Sequence, residues 1–262
     1  MTLRGAIVDL DGTVYRGDEL LDGTREGIDA MQAASLDLFF LSNNPIKDGE
    51  QYVRRLREMG LDVPKGAASS AGAVTTDYLV DHHSDDRIFL IGHEGLRDQF
   101  RAAELPVTDD PAAADVIVAS WTPEFDFADM QDALDASDGQ IAFYGTDPDR
   151  TFPLEKESMV PGSGAIIGSV ASVMGIEPEK VLGKPSDVAL QAALDRLEID
   201  PSECLIVGDR LDTDLRMGSN AGMTTVLVLT GVSDRADITN SDVDPDYVIE
   251  NLGEIETVLE QG

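Results

Sequence analysis

The sequence predicts an α/β fold built on parallel sheets. Short apolar runs of strand length, such as residues 6–8, 37–41 and 204–207, alternate with segments of helical periodicity. Strands that alternate with helices pair in parallel through right-handed crossovers. Several of these runs stop abruptly at acidic or small polar residues, and in an open parallel sheet such strand ends gather at the edge where ligands bind.

The first part of the chain supplies a series of strand–helix units. The expected elements are a strand at 6–8, a helix at 24–35, a strand at 37–41, a helix at 47–59 and a helix at about 70–82. Thr24 is the expected N-cap of the first helix, because its side-chain oxygen can accept a hydrogen bond from an unpaired backbone N–H. Tyr52, Val53 and Leu56 lie on one face of the helix at 47–59, which Gly60 ends.

A second run of elements begins near residue 86. Its expected elements are strands at 87–91, 115–120 and 140–144, helices at 94–104 and 126–137, an irregular stretch with three prolines at 146–162, and a helix at 163–174. The chain then closes with helices at 186–197, 212–220 and 252–260 and strands at 204–207, 225–229 and 247–249. We therefore expect residues 86–178 to form an inserted domain, and residues 1–85 and 179–262 to form the core.

The composition is strongly acidic. The 262 residues include 51 Asp and Glu against 19 Lys and Arg, which gives a formal net charge of -32. Such a surface disfavours binding to nucleic acid and to anionic membranes, because both are polyanions. Only five of the basic residues are Lys. A surface rich in Asp and poor in Lys resembles that of proteins from a high-salt cytoplasm, where screening offsets self-repulsion.

The compartment is expected to be the cytoplasm. Cys204 is the only cysteine, so the chain forms no internal disulfide, and its apolar neighbours indicate a packed side chain. The first residues run directly into the first expected strand and leave no room for a signal peptide. No apolar stretch approaches the ~20 residues of a membrane span.

Two carboxylates, Asp9 and Asp11, follow the first apolar run. On an extended chain, side chains two residues apart point the same way, so both would project into one small space. Like charges this close repel each other unless a cation or a proton lies between them. A solvated turn is the alternative interpretation, since Asp-Gly is a common turn pair.

Four polar clusters lie where a strand stops or a helix starts. They are 9–13 (Asp-Leu-Asp-Gly-Thr), 42–44 (Ser-Asn-Asn), 183–185 (Gly-Lys-Pro) and 208–214 (Gly-Asp-Arg-Leu-Asp-Thr-Asp). Asp9, Asp11 and Asp209 supply hard oxygen ligands of the kind that magnesium prefers. The Ser42 hydroxyl, the Asn44 backbone and the Lys184 ammonium supply donors and a positive charge, which suit a phosphoryl group.

The order of these four clusters resembles that of the haloacid dehalogenase-like hydrolases. The forms Leu-Ser-Asn-Asn at 41–44 and Gly-Asp-Arg-Leu-Asp-Thr-Asp at 208–214 are more narrowly similar to the branch of NagD-type and p-nitrophenyl-phosphatase-like enzymes. The resemblance covers nearly the whole chain. It implies a Rossmann-like parallel-sheet core and a C2-type α/β cap domain at residues 86–178. Caps of this branch often dimerise, so a homodimer through the cap is one interpretation that the resemblance allows.

The resemblance also implies a role for each acidic residue of the clusters. Asp9 is the nucleophile and forms an aspartyl-phosphate, and Asp11 protonates the leaving oxygen and then deprotonates the attacking water. Asp9 and Asp209 bind magnesium through their side chains, and Asp11 binds it through its backbone carbonyl. Asp214 supports the metal site, although acids near a helix start are also favoured by the helix dipole alone.

The remaining implied roles concern the substrate. Ser42 and the backbone of Asn43 bind the phosphoryl group, and Lys184 offsets the charge of Asp9 and the phosphate. The specificity loop of the family matches residues 146–154. Phe152 and Pro153 fall where the substrate would make contact in that loop, Phe152 with an apolar part of the leaving group. The alternative is that Arg150 binds a second anionic group of the substrate.

The sequence thus predicts a magnesium-dependent phosphatase that hydrolyses small phosphomonoesters. Sugar phosphates, phosphoglycolate, glycerol phosphate and nucleotide monophosphates all fit the motifs. One alternative is a non-catalytic module that binds a phospho-ligand on the same scaffold. Another is a dehalogenase or phosphonatase of the same superfamily, which the acid at Asp11 disfavours.

Overall fold

The computed structural model describes residues 2–137, 141–153 and 159–261. The strands in these ranges are β1 (Gly5–Val8), β2 (Tyr15–Arg16), β3 (Glu19–Leu20), β4 (Asp37–Ser42), β5 (Ala68–Ser70), β6 (Ile88–Ile91), β7 (Val107–Thr108), β8 (Val116–Ala119), β9 (Ala142–Gly145), β10 (Thr151–Pro153), β11 (Met159–Pro161), β12 (Lys180–Val181), β13 (Cys204–Gly208), β14 (Thr224–Val228) and β15 (Tyr247–Ile249). The α-helices are α1 (Thr24–Ala33), α2 (Gly49–Glu58), α3 (Ala71–His83), α4 (Glu94–Ala102), α5 (Phe127–Ala136), α6 (Ser163–Met174), α7 (Asp187–Leu197), α8 (Arg216–Ala221), α9 (Arg235–Asn240) and α10 (Ile255–Leu259). None of the helices in the described ranges combines the length and apolar character that a membrane span requires.

The chain divides into two compact units. Unit 1 comprises residues 1–42, 49–69 and 189–262, and unit 2 comprises residues 43–48 and 70–188. In each unit the chain alternates between strands and helices, so the predicted α/β class with parallel sheets is confirmed. The predicted limits of the core and cap domains, at 85/86 and 178/179, stay a prediction.

Unit 1 is organised on a six-stranded sheet in the order β15-β14-β13-β1-β4-β5. β1 lies between β13 and β4 and is parallel to both. Val8, the last residue of β1, is level with Val207 of β13 and Phe40 of β4. The three strands therefore end at the same edge of the sheet, which brings together the polar residues that follow them.

The hydrophobic core of unit 1 buries the central strands of this sheet away from solvent. All four residues of β1 are buried, as expected for a central parallel strand covered on both faces. Helices α1, α2 and α10 contribute buried apolar side chains, including Ile28, Leu56 and Val258. Tyr52 and Val53 are also buried, as the periodicity of α2 predicts.

Unit 2 has a five-stranded parallel sheet in the order β12-β9-β8-β6-β7. Helices α5 and α6 bury apolar side chains against it, including Ala133, Ile167 and Val170. The antiparallel hairpin β10–β11 joins the end of β9 to the start of α6.

Three local predictions need correction. Thr24 is the first residue of α1 rather than its N-cap; the cap position is Gly23, in the left-handed conformation, and the buried Thr24 hydroxyl donates to the carbonyl of Val14 at 2.9 Å. The stretch predicted as irregular at 146–162 contains the antiparallel pair β10–β11, and two of its three prolines, Pro153 and Pro161, are the last residues of these strands. The helix expected at 212–220 begins as a π-helical turn, Leu211–Leu215, and becomes α-helical at Arg216.

Candidate active site

Asp9 directly follows β1, at the carboxyl edge of the unit 1 sheet. Its backbone N–H donates to the Val207 carbonyl at 2.9 Å, so the strand pairing with β13 extends to this residue. The carboxylate is 7% exposed, and its Oδ2 accepts a hydrogen bond from the Thr13 hydroxyl at 3.2 Å. The turn after β1 thus both places and orients the predicted nucleophile.

Asp209 occupies the equivalent position after the neighbouring strand β13. Its side chain is buried, and its Oδ2 accepts a hydrogen bond from the Val232 N–H at 2.7 Å. Two glycines leave room for this carboxylate: a Cβ atom at Gly12 would lie 2.5 Å from Oδ2, and one at Gly231 would lie 1.7 Å away. Gly12 also has a φ of +90°, which other residues rarely adopt.

Asp214 lies in the π-helical turn Leu211–Leu215 that follows. Single π-helical turns of this kind occur frequently at functional sites, because they redirect one side chain of a helix. The Asp214 carboxylate is 1% exposed, and its Oδ2 accepts a hydrogen bond from the Thr213 hydroxyl at 3.3 Å. The unusual turn therefore directs a third acid inward.

Asp9, Asp209 and Asp214 form one buried group of carboxylates. Each offers an oxygen within 4.8 Å of the others. Burial, followed by the charges of Asp9 and Asp214, holds the pKa of Asp209 well above its usual range. Three such acids are stable together only with a cation or protons among them, and a donor set made wholly of carboxylate oxygens suits a divalent cation such as magnesium. The residues thus fit the predicted metal.

Asp11 and Ser42 lie in the same unit, outside this carboxylate group. The Asp11 side chain is exposed, and its Oδ2 accepts a hydrogen bond from the Tyr15 hydroxyl at 3.3 Å. Its carboxylate is not part of the metal-binding group found among the described residues. Ser42 is buried at the end of β4, where its hydroxyl shares a hydrogen bond with that of Tyr52.

The predicted residues Asn43 and Lys184 come together in unit 2. The Lys184 N–H donates to Asn43 Oδ1 at 2.9 Å, and Asn43 Nδ2 donates to the Lys184 carbonyl at 3.1 Å. Asn43 Nδ2 also lies 3.4 Å from Asp149 Oδ1. The Lys184 side chain is 1% exposed, which is unusual for a lysine and indicates a specific role for its charge. Asn44 makes a local turn in which its Oδ1 accepts from the Ile46 N–H at 3.0 Å.

Phe152 belongs to an aromatic cluster of unit 2. Its ring meets that of Trp121 edge-on at 5.6 Å between centroids, and Trp121 stacks on His93 at 5.9 Å. The indole N–H of Trp121 donates to the Pro161 carbonyl at 3.1 Å, which ties the cluster to the hairpin β10–β11. Pro153 is the last residue of β10, and its side chain lies outside the described part of the chain.

Asp147 is a buried acid that the sequence analysis did not single out. Its Oδ2 accepts from the Thr146 hydroxyl at 3.0 Å, and its Oδ1 accepts from the Asp149 N–H at 3.3 Å. Burial, followed by the charge of Asp149, raises the pKa of Asp147 to about 8. Burial thus favours the protonated form of this acid.

We expect Asp147→Asn to stabilise the protein at alkaline pH. The pKa of Asp147 rises from 3.8 in the unfolded chain to about 8 in the folded one, so the native state holds the extra proton between these values. Stability from this group is complete below pH 4 and declines up to about pH 8. Asparagine avoids that loss, and the gain above pH 8 should be on the order of a few kcal/mol. Urea unfolding of both proteins from pH 5 to 9 measures it.

The hydrogen bonds of Asp147 tolerate this change. An amide NH₂ can donate to the Thr146 hydroxyl, which can in turn donate to the Ser120 hydroxyl 2.9 Å away. Asp85→Asn, at an exposed carboxylate of the same unit, is the control and should leave the pH dependence unchanged. If Asp147→Asn is no more stable than wild type at pH 9, the buried acid is not held neutral.

The residues near the candidate site, or buried in unit 2, that sequence reasoning missed lack a local signal. Tyr15 and Tyr52 read as ordinary core residues, and Gly231 as an ordinary loop glycine. Asp147 was inside a stretch interpreted as an irregular loop, where an acid is expected to be solvated. Only the fold shows that Tyr15, Tyr52 and Gly231 lie against predicted site residues, and that Asp147 is buried.

Comparison with known proteins agrees with the geometry of unit 1. A haloacid dehalogenase-like hydrolase family model matches residues 6–106, and a related HAD-hydrolase-like model matches residues 181–255. The sugar-phosphatase AraL of Bacillus subtilis is 30% identical over 258 residues, covering 98% of this chain and 94% of that protein.

Solved structures agree as well. The p-nitrophenyl phosphatase from Archaeoglobus fulgidus has a TM-score of 0.91 and 33% identity, covering 99% of this chain and 100% of that one. NagD from Escherichia coli K-12 has a TM-score of 0.84 and 27% identity, covering 97% of this chain and 99% of that one. The chain therefore belongs to the haloacid dehalogenase-like hydrolases and is an enzyme of their phosphatase branch, which includes NagD and the p-nitrophenyl phosphatases.

Proposed function

We propose that the protein is a magnesium-dependent phosphatase that hydrolyses small phosphomonoesters through an aspartyl-phosphate. The observation that carries this proposal is the buried group of Asp9, Asp209 and Asp214, with Asp11 two residues after the first of them. Phosphoryl transfer through an aspartyl-phosphate requires a nucleophile and a proton donor beside a metal site. The net charge of -32 supports a small substrate over a nucleic acid.

Asp9, Asp209 and Asp214 would hold the magnesium ion, together with the backbone carbonyl of Asp11. When bound, magnesium would supply positive charge that neutralises phosphoryl oxygens and the carboxylates around it. The Thr13 hydroxyl keeps Asp9 in one orientation through its hydrogen bond to Oδ2. Ser42 binds the phosphoryl group, and Lys184 contributes the compensating positive charge.

The reaction proceeds in two displacements. In the first, a carboxylate oxygen of Asp9 forms a bond to phosphorus, the ester P–O bond breaks, and its electron pair leaves with the alcohol oxygen. Asp11 gives its proton to that oxygen. In the second, water attacks phosphorus, Asp11 accepts a proton from the water, and the bond between phosphorus and Asp9 breaks. Asp9 is regenerated as a carboxylate and inorganic phosphate is released.

The substrate class is a small phosphomonoester. The name of AraL supports a sugar phosphate, and phosphoglycolate, glycerol phosphate and nucleoside monophosphates also fit. The ring of Phe152, which Trp121 supports from one side, suits an apolar surface of the leaving group. A homodimer through residues 86–178 and a cytoplasmic location stay predictions of the sequence.

A phosphate-release assay tests the proposed function. The full chain is assayed against these four classes of ester, with magnesium and with an excess of chelator, at low and high salt. We expect release from at least one class, loss of nearly all activity on chelation, and recovery when magnesium is added in excess. Release of phosphate that is unaffected by chelator would contradict the metal requirement. Binding of a phosphomonoester without turnover would favour the non-catalytic module.

A further inference from the structure

Two buried tyrosines lie behind the polar residues of unit 1. Tyr15 follows the turn that carries Asp11, and Tyr52 lies on α2, which follows β4 and its last residue Ser42. Both phenol rings are 1% exposed and belong to the hydrophobic core of the unit. Each hydroxyl, however, forms a hydrogen bond with a polar residue of the proposed site.

The Tyr15 hydroxyl donates to Asp11 Oδ2 at 3.3 Å. The ring is held from outside by Arg55, whose guanidinium carbon lies 4.7 Å from the ring centroid. Arg55 also donates to the Gly17 carbonyl at 2.5 Å, in the turn between β2 and β3. Helix α2 thus fixes the hairpin that carries Tyr15, and with it the position of the phenol.

The Tyr52 hydroxyl shares a hydrogen bond with the Ser42 hydroxyl. An ordinary phenol has a pKa of about 10, so both side chains are protonated and neutral at pH 7. Each is a fixed neutral hydroxyl and contributes geometry rather than charge.

We infer that Tyr15 is a positioning residue for the proton donor Asp11, and that Tyr52 is a positioning residue for the phosphoryl-binding Ser42. This inference rests on the proposed function. Because Tyr15 donates to Oδ2 of Asp11, the transferable proton of that carboxyl lies on Oδ1. In this arrangement the Tyr52 hydroxyl donates to the Ser42 oxygen, which leaves the Ser42 proton for a hydrogen bond to the phosphoryl group.

The two tyrosines should therefore affect different kinetic quantities. Proton donation matters for an alkyl leaving group, which leaves poorly as an anion, and matters little for p-nitrophenolate, which leaves well without a proton. Binding of the phosphoryl group affects all esters alike and also affects inorganic phosphate, the product. A general loss of packing would instead lower the activity on every substrate and lower stability together.

We expect Tyr15→Phe to lower kcat for glycerol phosphate by about 10-fold and kcat for p-nitrophenyl phosphate by less than about 2-fold, with KM little changed. Tyr52→Phe should raise KM for both esters, and the inhibition constant of inorganic phosphate, by about 5-fold to 10-fold. Its ratio of alkyl to aryl rates should equal that of wild type. Tyr247→Phe, at a partly buried tyrosine of the same unit, is the matched control and should change none of these constants.

Equal losses on both esters in Tyr15→Phe would overturn the assignment to Asp11, and an unchanged phosphate inhibition constant in Tyr52→Phe would overturn the assignment to Ser42. Circular dichroism and thermal unfolding show whether each variant is folded. If the wild-type chain releases phosphate but the tyrosine variants match it, only this inference fails. A wild-type chain that hydrolyses no ester overturns the proposed function and the role of Tyr15 with it, whereas calorimetry with inorganic phosphate still decides the role of Tyr52.

Discussion

Asp9→Asn should release no phosphate above background while the protein stays folded. The amide oxygen is a far weaker nucleophile than a carboxylate and cannot form the aspartyl-phosphate, so we expect a loss of at least ~10³-fold in kcat. The substitution keeps the size of the side chain, and the amide oxygen can still accept the hydrogen bond from the Thr13 hydroxyl. Single-turnover phosphate release measures the effect.

The stability of Asp9→Asn should move in the opposite direction to its activity. In chelator, Asp9 adds a carboxylate to a buried group that already holds Asp209 and Asp214 within 4.8 Å. Removing one of three like charges relieves their repulsion, so the free energy of unfolding should equal or exceed that of wild type. Asp29→Asn, at an exposed acid of α1, is the control for both measurements. Substantial activity in Asp9→Asn would show that another group attacks phosphorus.

Much of the unit 1 site could be predicted from the sequence, because its residues directly follow regular elements. The apolar run ending at Val8 places Asp9, and the run ending at Gly208 places Asp209. Parallel pairing then requires these strand ends to lie at the same edge, whatever their separation along the chain. The register of β1 with β13 shows this arrangement directly.

The parts that sequence reasoning did not supply depend on contacts distant in the chain. The local sequence predicts that Thr24 is an N-cap, but in the fold its hydroxyl donates a hydrogen bond to the Val14 carbonyl. Asp214 reads as an acid at a helix start, and only the π-helical turn shows that it points inward to the other carboxylates. Local propensity is a weak guide at such positions, because tertiary hydrogen bonds outweigh it.

Gly231 is another residue whose importance the local sequence does not predict, because glycine has no side chain that could indicate a role. Its backbone is not in the left-handed region, so an alanine is conformationally allowed there, and the sequence around it suggests nothing beyond a loop. The space beside it, however, is filled by Asp209: an added Cβ would lie 1.7 Å from Oδ2 and 2.3 Å from Cγ. The carboxylate is also held by the Val232 N–H, one residue further on. It cannot keep that hydrogen bond and make room for a methyl group.

Gly231→Ala should therefore inactivate the enzyme without unfolding it. A displacement of about 1 Å in a catalytic group typically costs about 10²-fold in rate, and we expect at least that loss in kcat/KM. Because Asp209 is a proposed metal ligand, the magnesium concentration that gives half-maximal activity should rise as well. Calorimetry with magnesium measures the same shift without turnover.

Gly168→Ala is the matched control. Gly168 lies within α6 with nothing near its added Cβ, so activity should be unchanged and stability slightly higher. Full activity and unchanged magnesium binding in Gly231→Ala would mean that the position of Asp209 does not matter, and the carboxylate group could then not be the metal site.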